Sequence, residues 1–485
     1  MAIKRYTAEE DNTITNAFKS NLQTRGTDAN MGESDIIETF TIYGQTSLNG
    51  TASSEQSKIL INFPISDISD DRTAGTIPVS GNVDFYLRVH NAPHGQTLPK
   101  DYSLSILPVS RSWDEGYGLD MESYSDVGVS NWISASVSSS AGDGAWVAEG
   151  GDYLSEPAYN QYIATGTEDI EVDITELVEG WLSGATGSHG VGIAISSSYA
   201  DMERSFYIKK FFARGSEHFY LRPKIEARWD SVKKDRRNSF YASSSLVPAS
   251  DNMNTLYIYN YVRGHLQNIP AIGTGELSMS LYDGANDVPA GAALTATGSD
   301  DATGTSVVAG WVSQGIYSAS VAINTTSSYL YDVWHDDTTQ YVTGSQISVR
   351  SFVTDTSVDT GEYVSNITNL KEKYSTSETP RLRMFIRDKD WSPTIYTVAT
   401  TNIETKVIED AYFKVFRVAD DFEVIPYGTG SANNAYTQMS YDKDGNYFDV
   451  DMSLFETGYS YGIKVSYKRD SIFNQQPELF KFRVE

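Results

Sequence analysis

Tyr459-Ser-Tyr-Gly-Ile-Lys-Val-Ser-Tyr467 puts Tyr459, Tyr461, Ile463, Val465 and Tyr467 at every second position. Successive side chains of an extended chain point to opposite faces, so this period of two predicts a strand with one face in a core. The same spacing recurs on both sides of it, in Phe448, Val450, Met452 and Leu454 and in Phe480, Phe482 and Val484. The C-terminal part therefore reads as a run of strands, with the last residues inside one.

Working back along the chain, the pattern persists. Leu256 with Ile258, then Leu277, Met279 and Leu281, then Tyr317, Ala319, Val321 and Ile323 are separated by turn-rich loops such as Asp283 to Asp287 and Gly298 to Gly304. Short strands at this spacing predict an immunoglobulin-like sandwich. Earlier still, Ile59, Ile61, Phe63 and Ile65 share a face, as do Val83, Phe85, Leu87 and Val89, and Phe219, Leu221, Ile225, Ala227 and Trp229. One helix interrupts the strands: Asp173 and Glu176 form a capping pair, Leu177, Val178, Trp181 and Leu182 lie on one side, and Gly184 stops it. A parallel sheet would need a helix after almost every strand. The expected class is all-β, as tandem β-sandwiches: a jelly-roll-like domain over 1–229, a basic linker over 230–238, and immunoglobulin-like sandwiches over 239–360 and 361–485.

Length agrees with three domains, since 485 residues far exceed what one core supports. Zero cysteines exclude disulfides, thiolate metal sites and cysteine nucleophiles. The opening residues Met1 to Asp11 lack the apolar stretch of a signal peptide, and no segment is apolar over the length of a membrane span. The expectation is a protein made in a cytoplasm, with no membrane partner. A net charge of -27 opposes phosphate backbones, so nucleic acid is not an expected partner either. The basic run Lys233, Lys234, Arg236 and Arg237 reads as a solvated linker rather than a phosphate or membrane contact.

Motifs for chemistry fail one by one. His90 and His94 are separated by Ala92-Pro93 in a strand-to-loop turn, and no His-Glu-x-x-His occurs. Gly128-Val-Ser-Asn-Trp132 has an indole where a nucleophile elbow needs its second glycine, and Gly187 to Gly192 has no lysine for a phosphate cradle. Asp114 and Glu115 beside Trp113 are the most suggestive carboxylate pair for glycoside hydrolysis. The loop Asp442 to Asp451 has Gly fourth and Ser453 twelfth where a calcium EF-hand wants Gly sixth and Glu twelfth, so it reads as a hairpin turn. Acidic stretches at Asp67 to Asp71 and Asp283 to Asp287 could supply calcium ligands. No enzymatic activity, catalytic residue, cofactor or metal site is expected. Tyr257, Tyr259 and Tyr261 alternate with Leu256, Ile258 and Val262, which predicts an exposed tyrosine stripe suited to protein contacts.

In the first 229 residues the features come in a particular order: Asp11-Asn-Thr-Ile-Thr-Asn, Asn30-Met-Gly-Glu, Lys58-Ile-Leu-Ile-Asn-Phe, Ser112-Trp-Asp-Glu-Gly, Ser130-Asn-Trp, Gly144-Ala-Trp, Val172-Asp-Ile-Thr-Glu-Leu-Val-Glu-Gly-Trp, Gly190-Val-Gly-Ile and Leu221-Arg-Pro-Lys-Ile. This order resembles the DNRLRE family of jelly-roll modules, many of them similar to carbohydrate-binding domains. The resemblance implies a sugar-stacking role for Trp113, Trp132 and Trp146, against a place for them in the core. From Asp11-Asn-Thr-Ile-Thr-Asn-Ala-Phe through Trp391-Ser-Pro-Thr-Ile-Tyr to Pro477-Glu-Leu-Phe-Lys-Phe-Arg-Val-Glu, the chain also resembles structural proteins of tailed bacteriophage particles, those of marine cyanobacterial phages in particular. That implies a non-enzymatic virion component on the head, neck or tail, assembled in a host cytoplasm in multiple copies and contacting other virion proteins. The alternative it leaves is an adhesin that recognises a host surface glycan.

Overall fold

The computed structural model describes residues 2–46, 52–95, 97–125, 128–136, 144–202, 205–285, 288–352, 362–392, 405–430, 434–469 and 471–485. The chain is all-β, a series of tandem β-sandwiches, and it divides between Trp229 and Asp230 into two compact units. The expected boundary at 360/361, Asp287 of the second acidic stretch, and Pro393 to Tyr396 of the quoted motif lie outside the described residues.

In the Ala2–Trp229 unit, one sheet runs Ile3–Thr7, Lys224–Arg228, Asp84–Val89, Ile170–Asp173, all antiparallel. The facing sheet is larger. At its centre Ala52–Asn62 pairs with Glu10–Thr15, Ile36–Thr46 and Val191–Ile195. Tyr102–Pro108 and Tyr159–Ile163 extend it past Val191–Ile195, and Ile208–Phe212 flanks Ile36–Thr46. Ile59, Leu60 and Ile61 are all buried, so this central strand is covered on both faces. Each such side chain stabilises the fold by roughly 1.5–3 kcal/mol relative to exposure.

Two expectations for this unit need correction. Phe219–Leu221 is a 3-10 turn, and only Lys224–Arg228 is strand, because Pro223 has no N–H to give a ladder. Asp67 to Asp71 is not a loop but part of the helix Ile65–Thr73, whose Asp71 takes the Tyr6 hydroxyl at 2.8 Å and the Lys4 ammonium at 2.7 Å. The helix Thr175–Ser183 forms and Gly184 ends it, left-handed at φ 73°, but Asp173 and Glu176 do not cap it as a pair: its first flanking residue is Ile174, and Asp173 Oδ1 accepts the Thr175 N–H at 2.9 Å.

In the Asp230–Glu485 unit, the strands from Phe240–Tyr241 to Ile347–Arg350, apart from the small hairpin Tyr261–Val262 with His265–Leu266, form one connected sheet that curls round a core of Phe240, Leu256, Met279, Leu281, Tyr317, Val321 and Trp334. Val307–Ser313 joins its two layers: Val307 to Ala309 pair with Leu277 to Met279, and from Gly310 on the strand pairs with Ile316–Ala322. The last sandwich packs Tyr363–Ile367, Arg381–Asp388, Gly445–Asp449 and Ser440–Asp442 against a sheet centred on Ser460–Arg469. Asp442 and Gly445 close a two-residue hairpin, as read, but Met452–Leu454 is a 3-10 turn rather than the end of a strand.

The segment 230–238 is not a solvated linker. Tyr441 N–H donates to Lys233 O at 3.0 Å, Asp235 N–H to Tyr441 O at 3.1 Å, and Arg236 pairs with Glu409 at 2.8 Å, all in the last sandwich. Arg237 turns the other way, into the sandwich before it, where its guanidinium donates to both oxygens of Asp332 at 2.5 and 2.7 Å. A charge run read in isolation belongs in water; here its two arginines pair with carboxylates of the two sandwiches. The tyrosine stripe is likewise covered: Tyr259 and Tyr447 share a hydroxyl contact at 3.4 Å, Tyr257 is largely buried, and only Tyr261 is exposed.

Candidate functional site

The three tryptophans lie in loops that cover the outer face of the large sheet in the first unit. They form one buried cluster with Ile14, Leu60, Val109 and Ala135, against which Tyr153 packs. Trp113 Nε1–H donates to His189 O at 3.0 Å and Trp146 Nε1–H to Asn131 O at 2.8 Å, so the polar tips are satisfied inside. The Lys58 ammonium lies 5.4 Å from the Trp132 ring centre and 5.0 Å from that of Tyr153, with Gly150 O accepting from it at 3.0 Å. A Cβ on Gly192 would come within 2.1 Å of the Tyr153 ring, so the sheet surface must be bare there. With no indole face open to solvent, the cluster is a second small core and offers no stacking platform.

Of the two carboxylates beside Trp113, Glu115 is held in an ion pair with Arg214. Glu115 accepts Arg214 Nε–H at 2.7 Å and the Asp11 backbone N–H at 2.8 Å. Asp11 is buried; its Oδ2 accepts the Arg214 backbone N–H at 2.5 Å, while Oδ1 has no hydrogen-bond partner. Burial, with the charges of Glu115 and Glu33, pushes the Asp11 carboxyl up to about 7. His90 is buried with Nδ1 2.9 Å from Asp169 Oδ2. Among the described residues no group of three or more histidines and carboxylates is arranged to hold a metal. Asp442 is chelated by Arg383, with both contacts at 2.8 Å.

The open aromatic surface lies elsewhere in this unit, in residues to which period-two reading assigns no role. Phe206 and Tyr207, just before the strand Ile208–Phe212, stack with ring centres 5.1 Å apart and planes 16° from parallel. Tyr199, in the short helix Ser197–Ala200, meets Tyr207 edge-on at 5.4 Å, and Tyr102 packs on it at 4.9 Å. The strand partner fixes the backbone: Thr41 N–H donates to Tyr207 O at 2.8 Å, and the Thr41 and Ser205 hydroxyls bond to each other. Phe206 is 66 % exposed. It borders an open groove of about 450 Å³ with Phe40, Ile42 and Ile208, closed at one end by the Glu38–Lys210 ion pair at 2.7 Å. Such a groove can hold a ring against a flat aromatic face and bind its hydroxyls at the charged end.

In the second unit the exposed feature is an edge. Among the described residues Ile472–Gln475 pairs only with the end of Ser460–Arg469, and all four of its residues are exposed, Ile472 at 71 %. It carries neither a charge nor a proline.

No family model and no curated protein matches the chain. Among solved structures that match is the native conformation of alpha-2-macroglobulin from E. coli, at 7% identity and a TM-score of 0.15; the match covers 98% of this chain and 28% of that one. The chain thus spans under a third of that protein's length, and a likeness of this degree carries no argument about function. Among the described residues no helix is long and apolar enough to cross a membrane.

Proposed function

We propose that the protein is a non-enzymatic structural component of a tailed-phage particle, docked in multiple copies on the head, neck or tail through sheet edges. The observation that carries this reading is the Ile472–Gln475 edge. Soluble β-proteins protect such edges with lysine, proline or a covering loop, and an edge strand that carries neither lysine nor proline is a template for another strand. The resemblance to phage structural proteins supports the same reading. Mass spectrometry of purified particles tests it: the protein is expected among their components, and its confinement to the lysate would refute the proposal. Ile472→Lys, which leaves the core untouched, is expected to cut its occupancy on particles several-fold without changing its melting temperature.

A second reading, recognition of a host surface glycan, is favoured by the groove beside Phe206. Removing one stacked ring costs about 0.5–1.5 kcal/mol beyond lost area. Phe206→Ala is therefore expected to weaken binding to a responsive glycan by about tenfold, with near-ultraviolet circular dichroism otherwise native. Silence of the wild-type protein across a broad array of host polysaccharides ends this reading.

A further inference from the structure

Lys209 is the one lysine of the strand pair Ile208–Phe212 and Ile36–Thr46 that points inward, and it is 1 % exposed. Its ammonium donates to the side-chain oxygen of Asn91 at 2.7 Å and to Gly166 O at 2.9 Å. The carboxamide carbon of Asn91 lies at most one C=O bond, about 1.2 Å, beyond that oxygen. Backbone pairing holds the two residues in place: Phe212 N–H donates to His90 O at 3.0 Å, Ala92 N–H to Lys210 O at 3.0 Å, and Asn91 bridges to Phe211. Two carboxylates face the pair. Asp169 accepts the Asn91 backbone N–H at 2.8 Å and meets His90 at 2.9 Å, while Glu168 accepts the Gly166 N–H at 2.9 Å. Burial brings the Lys209 ammonium down to about 8, against the opposing pull of Glu168 and Asp169. About a tenth of it is therefore an uncharged amine at pH 7, against well under a thousandth for an ordinary lysine, and this is the form that attacks a carbonyl.

We propose that Lys209 and Asn91 join in an intramolecular amide cross-link. The Lys209 Nζ lone pair attacks Cγ of Asn91, the Nζ–Cγ bond forms and the Cγ–Nδ2 bond breaks, and Nδ2 leaves as ammonia. Asp169 takes the proton that the amine sheds and returns it to the departing nitrogen. Lysine ammonium plus carboxamide thus becomes a secondary amide plus ammonium, with no oxidant or further reactant. Confinement in a dry, pre-aligned site supplies what the reaction lacks in water, since a near-attack arrangement of this kind replaces a bimolecular encounter. Asn91 follows the strand Asp84–Val89 of the small sheet and Lys209 belongs to the large one, so the bond staples the two layers of the sandwich. It does for a chain without cysteine what a disulfide does elsewhere.

The test is the intact mass of the purified full-length chain, followed by tryptic mapping. The expected result is a mass short of the sequence by one ammonia, a branched peptide joining the Asn91 and Lys209 segments, and no cleavage after Lys209. Lys209→Arg and Asn91→Ala are expected to restore the full sequence mass, and Asp169→Asn to leave most chains unlinked. A folded wild-type protein at full mass, with both segments recovered as linear peptides, overturns the proposal. So does a one-ammonia deficit without the branched peptide, which would mark cyclisation of an asparagine instead. The wild-type measurement decides the matter even if a variant fails to fold.

Discussion

Asp332→Ala is expected to destabilise the Asp230–Glu485 unit by about 3–5 kcal/mol, because it removes one half of a buried ion pair and strands the other. Asp332 is fully buried, and its two oxygens take both Arg237 contacts and the Trp334 Nε1–H at 2.6 Å. The chain just past the strand Thr339–Thr343 leaves room for this arrangement: a Cβ on Gly344 would lie 1.9 Å from Asp332 Oδ1. Asp235 limits the damage. It sits 3.8 Å from Arg237, and burial, with the charges of Asp332 and Asp442 adding to it, pushes its carboxyl up to about 7. With Asp332 gone, Asp235 ionises more readily and partly neutralises Arg237, which favours the lower half of the range. In calorimetry, the transition of this unit should fall by about 10 °C, while that of the Ala2–Trp229 unit stays where it was. Replacing both partners with apolar side chains, as Asp332→Leu with Arg237→Met, is expected to recover only part of the loss: the stranded Arg237 charge is gone, but Asp235 then loses its cation and the Trp334 Nε1–H its acceptor. If the single variant is as stable as the wild type, the ion pair does not secure the segment 230–238.

This ion pair shows where reading the sequence reaches its limit. Period-two alternation identified the strands because burial on one face is a local property: Val83 to Val89, Ile316–Ala322 and Ser460–Arg469 each carry it within their own span. What alternation could not supply was anything decided by a distant partner. Arg237 and Asp332 are 95 positions apart, Tyr259 and Tyr447 188 apart, and Lys209 and Asn91 118 apart. Thus a basic run that looked solvated became a buried brace, and a tyrosine stripe that looked exposed became an internal contact. The acidic run Asp67 to Asp71 was misread because its polar residues have no apolar periodicity; the helix Ile65–Thr73 buries Ile68 alone among its positions. Trp113, Trp132 and Trp146 were legible as aromatic, but whether a ring packs inward or outward depends on loops that fold over a sheet, which spacing does not encode. The Phe206–Tyr207 face was missed for the opposite reason, since two adjacent aromatics point to different sides of a strand and suggest no common surface.

The second large effect depends on pH and concerns Asp11. A carboxyl that titrates at about 7 in the folded chain, against an ordinary 3.8, binds its proton more tightly when folded than when unfolded. Its contribution to stability is fully present below about 4 and is lost as pH rises toward 7, by roughly 1.4 kcal/mol per pH unit and ~4 kcal/mol in all. Depressed carboxyls have the opposite sign. Glu226, buried among Arg5, Arg228 and Arg88, is held well below its usual range, so its contribution is present above about 4.3 and is lost in acid. The two must therefore be separated by difference. Asp11→Asn keeps an oxygen to accept the Arg214 N–H and removes the titration, while Glu226 behaves alike in both proteins. Denaturant unfolding of the wild type and the variant at matched pH should show the variant gaining on the wild type between pH 4 and 7 and holding a constant lead above pH 8. The lead arises because the wild type must there bury a charge whose Oδ1 has no hydrogen-bond donor, beside Glu115 and Glu33, with only Arg214 opposed to it. A difference that stays flat from pH 4 to 8 would mean that Asp11 is ionised throughout, and that Arg214 alone outweighs both the burial and its two acidic neighbours.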